Sequence, residues 1–386
     1  MSTRRRGKPI EEQVKGGLSK VPKVKRRGNP YFNRRTALPI ILGLVLIVAV
    51  CRKLYQRIFQ TPIIQDALEP FEPSPPVEID PDIFQVVDIP GRGKGLIANR
   101  DIEPGELVIR EKPLFKVPHS ISTSPIALIA KLLREADASG RQAFLDLSYV
   151  NFPEDVDPEE HPDSVALAIF ETNAVAAGDG VGIFPRMARL NHGCSSAFNV
   201  VYNWRDKEGV LVVHALKSIK KGEELLTTYF DTKRPRVERR AFLAEHYGFN
   251  CMCSVCSLPD AQSVASDKRL TQIKDYYGRF ATWGERNITG IEAIDAVRSI
   301  WALEDEEGYR SERGRLAADA ALVAASHSDS AATREWAKKS VEWYGYELGR
   351  DSLQVHEMKG VVASPKRHPA WGSRERLKVG GPGGSK

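Results

Sequence analysis

Cys251-Met252-Cys253-Ser254-Val255-Cys256 places three thiols within six residues. Cysteines a single residue apart pair awkwardly as disulfides. A chain of 386 residues, 42% of them hydrophobic, also buries a core without covalent staples. A metal site in a reducing compartment is the better reading: three thiolates take three corners of a zinc tetrahedron, and a fourth ligand comes from elsewhere in the chain. Of the five cysteines, Cys51 lies in an N-terminal apolar run, which leaves Cys194. His192 and His246 are the alternatives for that corner.

Upstream of the cysteines, three further stretches bear chemistry. Gly222-Glu223-Glu224-Leu225-Leu226-Thr227-Thr228-Tyr229 is a polar turn entering a strand that ends on an aromatic hydroxyl. Arg189-Leu190-Asn191-His192-Gly193-Cys194 brings an amide, an imidazole and a thiol to one point. Gly91-Arg92-Gly93-Lys94-Gly95-Leu96 lies between two β-prone runs, and its glycines let a ligand approach the backbone N–H groups. No helix follows it, so it is not the dinucleotide fingerprint. Taken singly, each has an ordinary structural explanation: a packed core tyrosine, a capped turn with a core histidine, a glycine-rich hairpin turn.

Around these stretches the pattern alternates. Short β-prone runs at 84–87, 95–98 and 106–109 are separated by Gly and Pro turns. Apolar spacings of three and four predict helices over 124–150, 163–177 and 235–247, and a helical region from about 267 to 360. Residues 198–204 and 209–216 read as a hairpin, and the polar, Gly-rich 361–386 as disordered. The net charge of +6 is uneven. Residues 1–36 hold twelve Lys or Arg against Glu11 and Glu12, a local +10, so the rest of the chain carries −4. A DNA-binding core is not indicated, and no direct nucleic-acid contact is expected from the globular part. Ala37 to Cys51 carries no charge and is flanked by Arg34, Arg35, Arg52 and Lys53. It would span roughly 22 Å as a helix, which snorkelling flanks and the following Leu54 and Tyr55 could extend towards a hydrocarbon core of about 30 Å. A single membrane anchor at 37–55 is expected, its orientation open, followed by a Pro-rich linker over 56–83. The alternative locations are nucleus or cytoplasm.

Together, in this order, the four stretches resemble the SET-domain protein-lysine methyltransferases, nearest to the SET-and-MYND branch and its fungal relatives, over roughly residues 84–258. Val181-Gly182-Ile183-Phe184-Pro185 running into Asn191-His192-Gly193-Cys194 is similar to the family's approach to its NHxC motif. The resemblance implies an α+β chain. A β-rich SET fold would cover 84–250, with a helical insert at about 116–180. A post-SET zinc segment at 251–258, a helical C-terminal region at 262–360 and the tail would follow. It also implies S-adenosyl-methionine as cofactor, contacted by Arg92, Gly93, Lys94, Asn191, His192 and Phe249, with Asn173 added. Tyr229 would be the catalytic tyrosine and border the cofactor, and Cys194, Cys251, Cys253 and Cys256 would hold Zn2+. The implied partner is a lysine-containing protein, histone or otherwise. An inactive, membrane-tethered zinc-binding scaffold on the same fold is the alternative. Two features depart from the family. NHxC continues as Ser195-Ser196-Ala197-Phe198-Asn199, without the usual proline and with the next asparagine two residues late. No cysteine lies between Leu114 and Val165, so the MYND finger is absent.

Overall fold

Gly91 and Gly93 adopt left-handed backbone, φ 72° and 69°. The turn they make folds Phe84–Ile89 (β1) back onto Gly93–Ala98 (β2) as an antiparallel hairpin. In the computed structural model, residues 79–383 are described, except 81, 151, 154 and 155. The basic tail, the apolar run at 37–55 and most of the Pro-rich linker lie outside the described residues. Among the described residues, no helix is long and apolar enough to cross a membrane.

Leu107–Glu111 (β3) forms a three-stranded antiparallel sheet with Val200–Arg205 (β8) and Val210–Ala215 (β9), in the order β3-β9-β8. The predicted hairpin is therefore present. Its second strand is buried along its whole length, which matches the unbroken apolar run Val210-Leu211-Val212-Val213. Leu96, Ile102, Val108, Phe184, Leu211, Val213 and Leu225 fill the core beneath it.

The insert comprises Pro125–Glu135 (α1), Ala138–Leu145 (α2) and Pro162–Asn173 (α3). Proline in the first turn of α1 and α3 fits a position whose N–H has no helical partner. The Asp137 carboxylate caps α2 at 2.6 Å from the Gly140 N–H. A small sheet closes the insert: Lys116–Pro118 (β4), Val175–Ala177 (β5) and Gly180–Gly182 (β6), in the order β4-β6-β5. Its own core stacks Phe115 on Phe170, with centroids 6.1 Å apart.

Two very short strands matter most. Asn191–His192 (β7) runs parallel to Leu226–Thr227 (β10), pairing residues 35 positions apart. Arg236–Tyr247 (α4) then ends at Gly248, φ 70°, a left-handed C-cap that turns the chain into the cysteine segment.

The predicted C-terminal helical region resolves into Asp260–Ala281 (α5), Gly290–Glu307 (α6), Arg313–Ser326 (α7), Ser330–Glu347 (α8) and Leu353–Ala363 (α9). A capping box of Thr289 and Glu292 starts α6. At Gly314 a Cβ would stand 2.4 Å from the Tyr344 ring, so glycine lets α7 and α8 pack closely.

The expectation of a disordered tail over 361–386 is corrected for 361–383. Val361 to Ala363 complete α9, and the chain beyond lies along the helices. Asp329 accepts N–H groups from Val379 (3.0 Å) and Gly380 (3.2 Å), while Trp336 Nε1 donates to the Gly380 carbonyl (3.1 Å). The Arg374 guanidinium stacks 3.8 Å from the Trp283 ring, and Val379 is buried. Composition alone reads this segment as unstructured, because its polar backbone groups find partners only on distant helices.

Candidate active site and metal centre

The β2 strand runs beside the Glu223–Leu225 stretch, with the Leu225 N–H donating to the Leu96 carbonyl at 2.8 Å. This register puts Glu224 between two motifs. One carboxylate oxygen receives Arg92 Nη1 at 2.5 Å, and the other receives Asn191 Nδ2 at 2.9 Å. Arg92 Nη2 also reaches the His192 carbonyl (3.3 Å), and Asn191 Nδ2 the Lys94 carbonyl (3.3 Å). Gly95 makes this possible, since a Cβ there would lie 2.8 Å from Asn191 Nδ2 and 3.0 Å from Glu224 Oε1. The glycine loop and the Asn-His pair are thus held by one carboxylate. Glu224 was visible in the sequence only as part of a polar turn. Nothing in its local pattern gave it a partner 132 residues away.

His192 is buried, and burial first, then nearby Arg92 and Arg239, lower its pKa to about 4, so the imidazole is neutral at neutral pH. Its Nδ1 accepts the Tyr229 N–H at 3.1 Å, which leaves the proton on Nε2, 3.1 Å from Cys194 Sγ. Tyr229 donates its hydroxyl to the Leu190 carbonyl at 3.0 Å. Its ring lies 5.2 Å from His192 and 4.8 Å from Tyr247. Burial first, then Tyr247, push the Tyr229 hydroxyl well above the ordinary tyrosine range, so it stays protonated.

The half-buried Phe249 ring stands 6.5 Å from His192. Asn173 sits one step further back. Its Nδ2 donates to the carbonyls of Ser148 (2.7 Å) and Ile169 (2.8 Å), and the Ser148 hydroxyl lies 4.0 Å from where a Gly93 Cβ would be. The side chain of Lys94 is exposed, and the residue takes part through its carbonyl.

The four cysteines converge. Cys194, Cys251, Cys253 and Cys256 are buried and free of disulfides, with all four sulfurs within 4.8 Å of one another. Neighbouring thiols donate to Cys253 and lower its pKa, whereas Cys194 is raised: the crowded sulfurs cannot all carry charge without a cation. Arg239, fully buried, lies beside Cys194 and Cys256, and Arg240 donates to the carbonyls of Cys251 (3.1 Å) and Cys256 (2.9 Å). Of the two histidine alternatives, His192 faces Cys194 from outside the cluster, and exposed His246 bonds the Phe242 carbonyl in its own helix.

The family model described as SET domain matches residues 93–230. Histone-lysine N-methyltransferase set5 of Schizosaccharomyces pombe is 30% identical over 292 residues, covering 74% of this chain and 86% of the relative. This chain belongs to the SET-domain lysine methyltransferases. It is an S-adenosyl-methionine-dependent enzyme of lysine methylation. Human histone-lysine N-methyltransferase SMYD3 is 35% identical over 100 residues, 25% of this chain and 22% of that protein. The solved structure of Rubisco LSMT bound to AdoMet aligns with 73% of this chain and 86% of its own, at 12% identity and a TM-score of 0.32.

Within the enzyme, the late asparagine is accommodated. Ser195–Ala197 form a 3-10 turn between Cys194 and Asn199, and Asn199 reaches β10. Asn199 Oδ1 accepts the Leu226 N–H (2.8 Å), and its Nδ2 donates to the Glu224 carbonyl (2.9 Å).

Proposed function

We propose that the enzyme transfers methyl groups to lysines of histones, with Arg92, Gly93, Lys94, Asn191, His192 and Phe249 holding the cofactor and a zinc ion bound by the four cysteines. The observation that carries this reading is the Arg92–Glu224–Asn191 bridge: it gathers the glycine loop, the Asn-His pair and the strand leading to Tyr229 around one place. The histone assignment is supported by the name of the fission-yeast relative, and the −4 charge outside the basic tail suits a basic substrate.

Bound S-adenosyl-methionine supplies a methyl group on a sulfonium, an electrophile needing no further activation. The chain's contribution is alignment and desolvation. Tyr229 stays protonated, so its role is orientation through a hydroxyl already directed at the Leu190 carbonyl, and it does not act as a base. Tyr229, Tyr247 and Phe249 cluster around His192 and would exclude water from the target amine, and it is that lost hydration which favours the neutral form. Asn173 acts one step removed, fixing Ser148 against the glycine loop. Zinc fits the sulfurs: a tetrahedron with Zn–S near 2.3 Å has edges of about 3.8 Å. Cys194 Sγ lies 3.6 Å from Cys256 Sγ and 4.0 Å from Cys251 Sγ. Such an ion ties the NHGC loop to the segment carrying Phe249.

The test is incubation of the full chain with methyl-labelled cofactor and core histones. Labelled histone lysine is expected, with a loss of about 100-fold or more in Tyr229→Phe and unchanged S-adenosyl-homocysteine binding. Binding without transfer to any protein in a lysate overturns the catalytic reading in favour of the scaffold. Label on other proteins alone overturns the histone assignment.

A further inference from the structure

The two extra residues after Cys194 do more than lengthen a loop. Ser195 holds a left-handed backbone, φ 47°, which a side chain adopts only when its surroundings enforce it. Its N–H donates to Thr232 Oγ1 (3.1 Å), and its hydroxyl donates to Glu307 Oε1 (2.9 Å). Glu307 ends α6, more than 110 residues away, and is buried. The same Oε1 accepts from Ser266 Oγ (2.6 Å), and Oε2 accepts from Arg269 Nε (2.8 Å). Around this carboxylate the α6–α7 turn sits between the two loops of the active site. At Gly308 a Cβ would meet the Ser196 side chain at 3.2 Å, and Tyr309 packs edge-on against Phe198 at 5.7 Å. On the other side, Lys233, four residues beyond Tyr229, bonds Glu312 at 3.1 Å.

We propose that Glu307 is a positioning residue for the methyl-transfer site: through Ser195 it makes the C-terminal helical region set the His192–Cys194 geometry, so cofactor affinity belongs to both parts of the chain. A carboxylate that accepts three donors in a buried site fixes its partners far better than water would. The loop it fixes begins one residue after Cys194 and three after His192. Any ligand or partner that moves α6 is therefore coupled to cofactor binding, and the coupling is reciprocal. The inference rests on the reading of Asn191 and His192 as cofactor contacts.

Calorimetric titration of S-adenosyl-homocysteine into the full chain tests it, comparing wild type with Glu307→Ala, Glu307→Gln, Ser195→Ala and the Ser195→Ala/Glu307→Ala pair. Asn191→Ala controls the underlying reading. Glu307→Ala should weaken binding about tenfold and Ser195→Ala by a few-fold, the pair should be no worse than Glu307→Ala, and Glu307→Gln should recover most of the loss. Under saturating cofactor, kcat should change less than twofold. Unchanged affinity in Ser195→Ala and Glu307→Ala, with only a lower melting temperature, makes the network merely structural and overturns the proposal. Strictly additive losses overturn it as well, and Ser195→Ala decides the matter if Glu307→Ala does not fold. Normal binding by Asn191→Ala removes the site reading itself, and this inference with it.

Discussion

Replacing Glu224 with glutamine removes one charge and almost no volume. The remaining amide oxygen can still accept Asn191 Nδ2, now 2.9 Å from Oε1, but its NH2 would face Arg92 Nη1, and two donors cannot share the 2.5 Å contact. A charge-assisted hydrogen bond contributes about 1.5–3 kcal/mol. The Arg92 side chain is 37% exposed, so water recovers part of that, leaving a net loss of about 1–2 kcal/mol. If the bridge orders the glycine loop for the cofactor, KM for S-adenosyl-methionine should rise about 5- to 30-fold while kcat stays within about twofold. Global stability should fall by no more than the same amount, about 1–2 kcal/mol, since the hairpin and its core lie elsewhere. Steady-state kinetics with varied cofactor, alongside urea melts, separates these effects. An unchanged KM refutes the idea that Glu224 organises the site. A collapse of kcat at saturating cofactor refutes the division between binding and chemistry on which the estimate depends.

Two further outcomes are expected. Elemental analysis should find one zinc per chain, and Cys253→Ser should abolish it, exposing amides 249–258 to hydrogen exchange and weakening cofactor binding through the loosened Phe249 wall; a metal-free wild type that binds cofactor normally contradicts this. Burial raises the Glu347 carboxyl from 4.5 to about 8 while it accepts the Gly314 N–H at 3.0 Å. The folded chain then holds a proton that the unfolded chain has lost, so this group's stability is full below about pH 4.5 and drains away as pH rises towards 8. The total is on the order of 5 kcal/mol at most. Glu347→Gln should flatten the decline of the urea midpoint between pH 5 and 8.5, and an unaltered slope would show the carboxyl to be ionised throughout.

The gathering of Cys194 with Cys251, Cys253 and Cys256 was readable from counting, because cysteines are few and a metal site would demand four donors. The hairpins and helices were legible for a similar reason: glycine turns and three-four spacing express local backbone physics. Asn173 shows where local reading stops. The resemblance implies that it borders the cofactor; its amide donates to the carbonyls of Ser148 and Ile169, and no neighbouring residue announces those partners. The tail beyond 361 is a second case, since its order depends on Asp329, Trp336 and Trp283 in helices that precede it by dozens of residues.

By itself, then, the sequence determined the chemical inventory: four thiols, one Asn-His pair, one motif tyrosine and a glycine loop able to admit a ligand. Only the tertiary structure decided which charges face one another. Glu224 and Glu307 are ordinary glutamates by composition and periodicity. Each gains its role from donors brought in across more than thirty residues, and pairings at that range are fixed by strand register and helix packing, which no local pattern encodes.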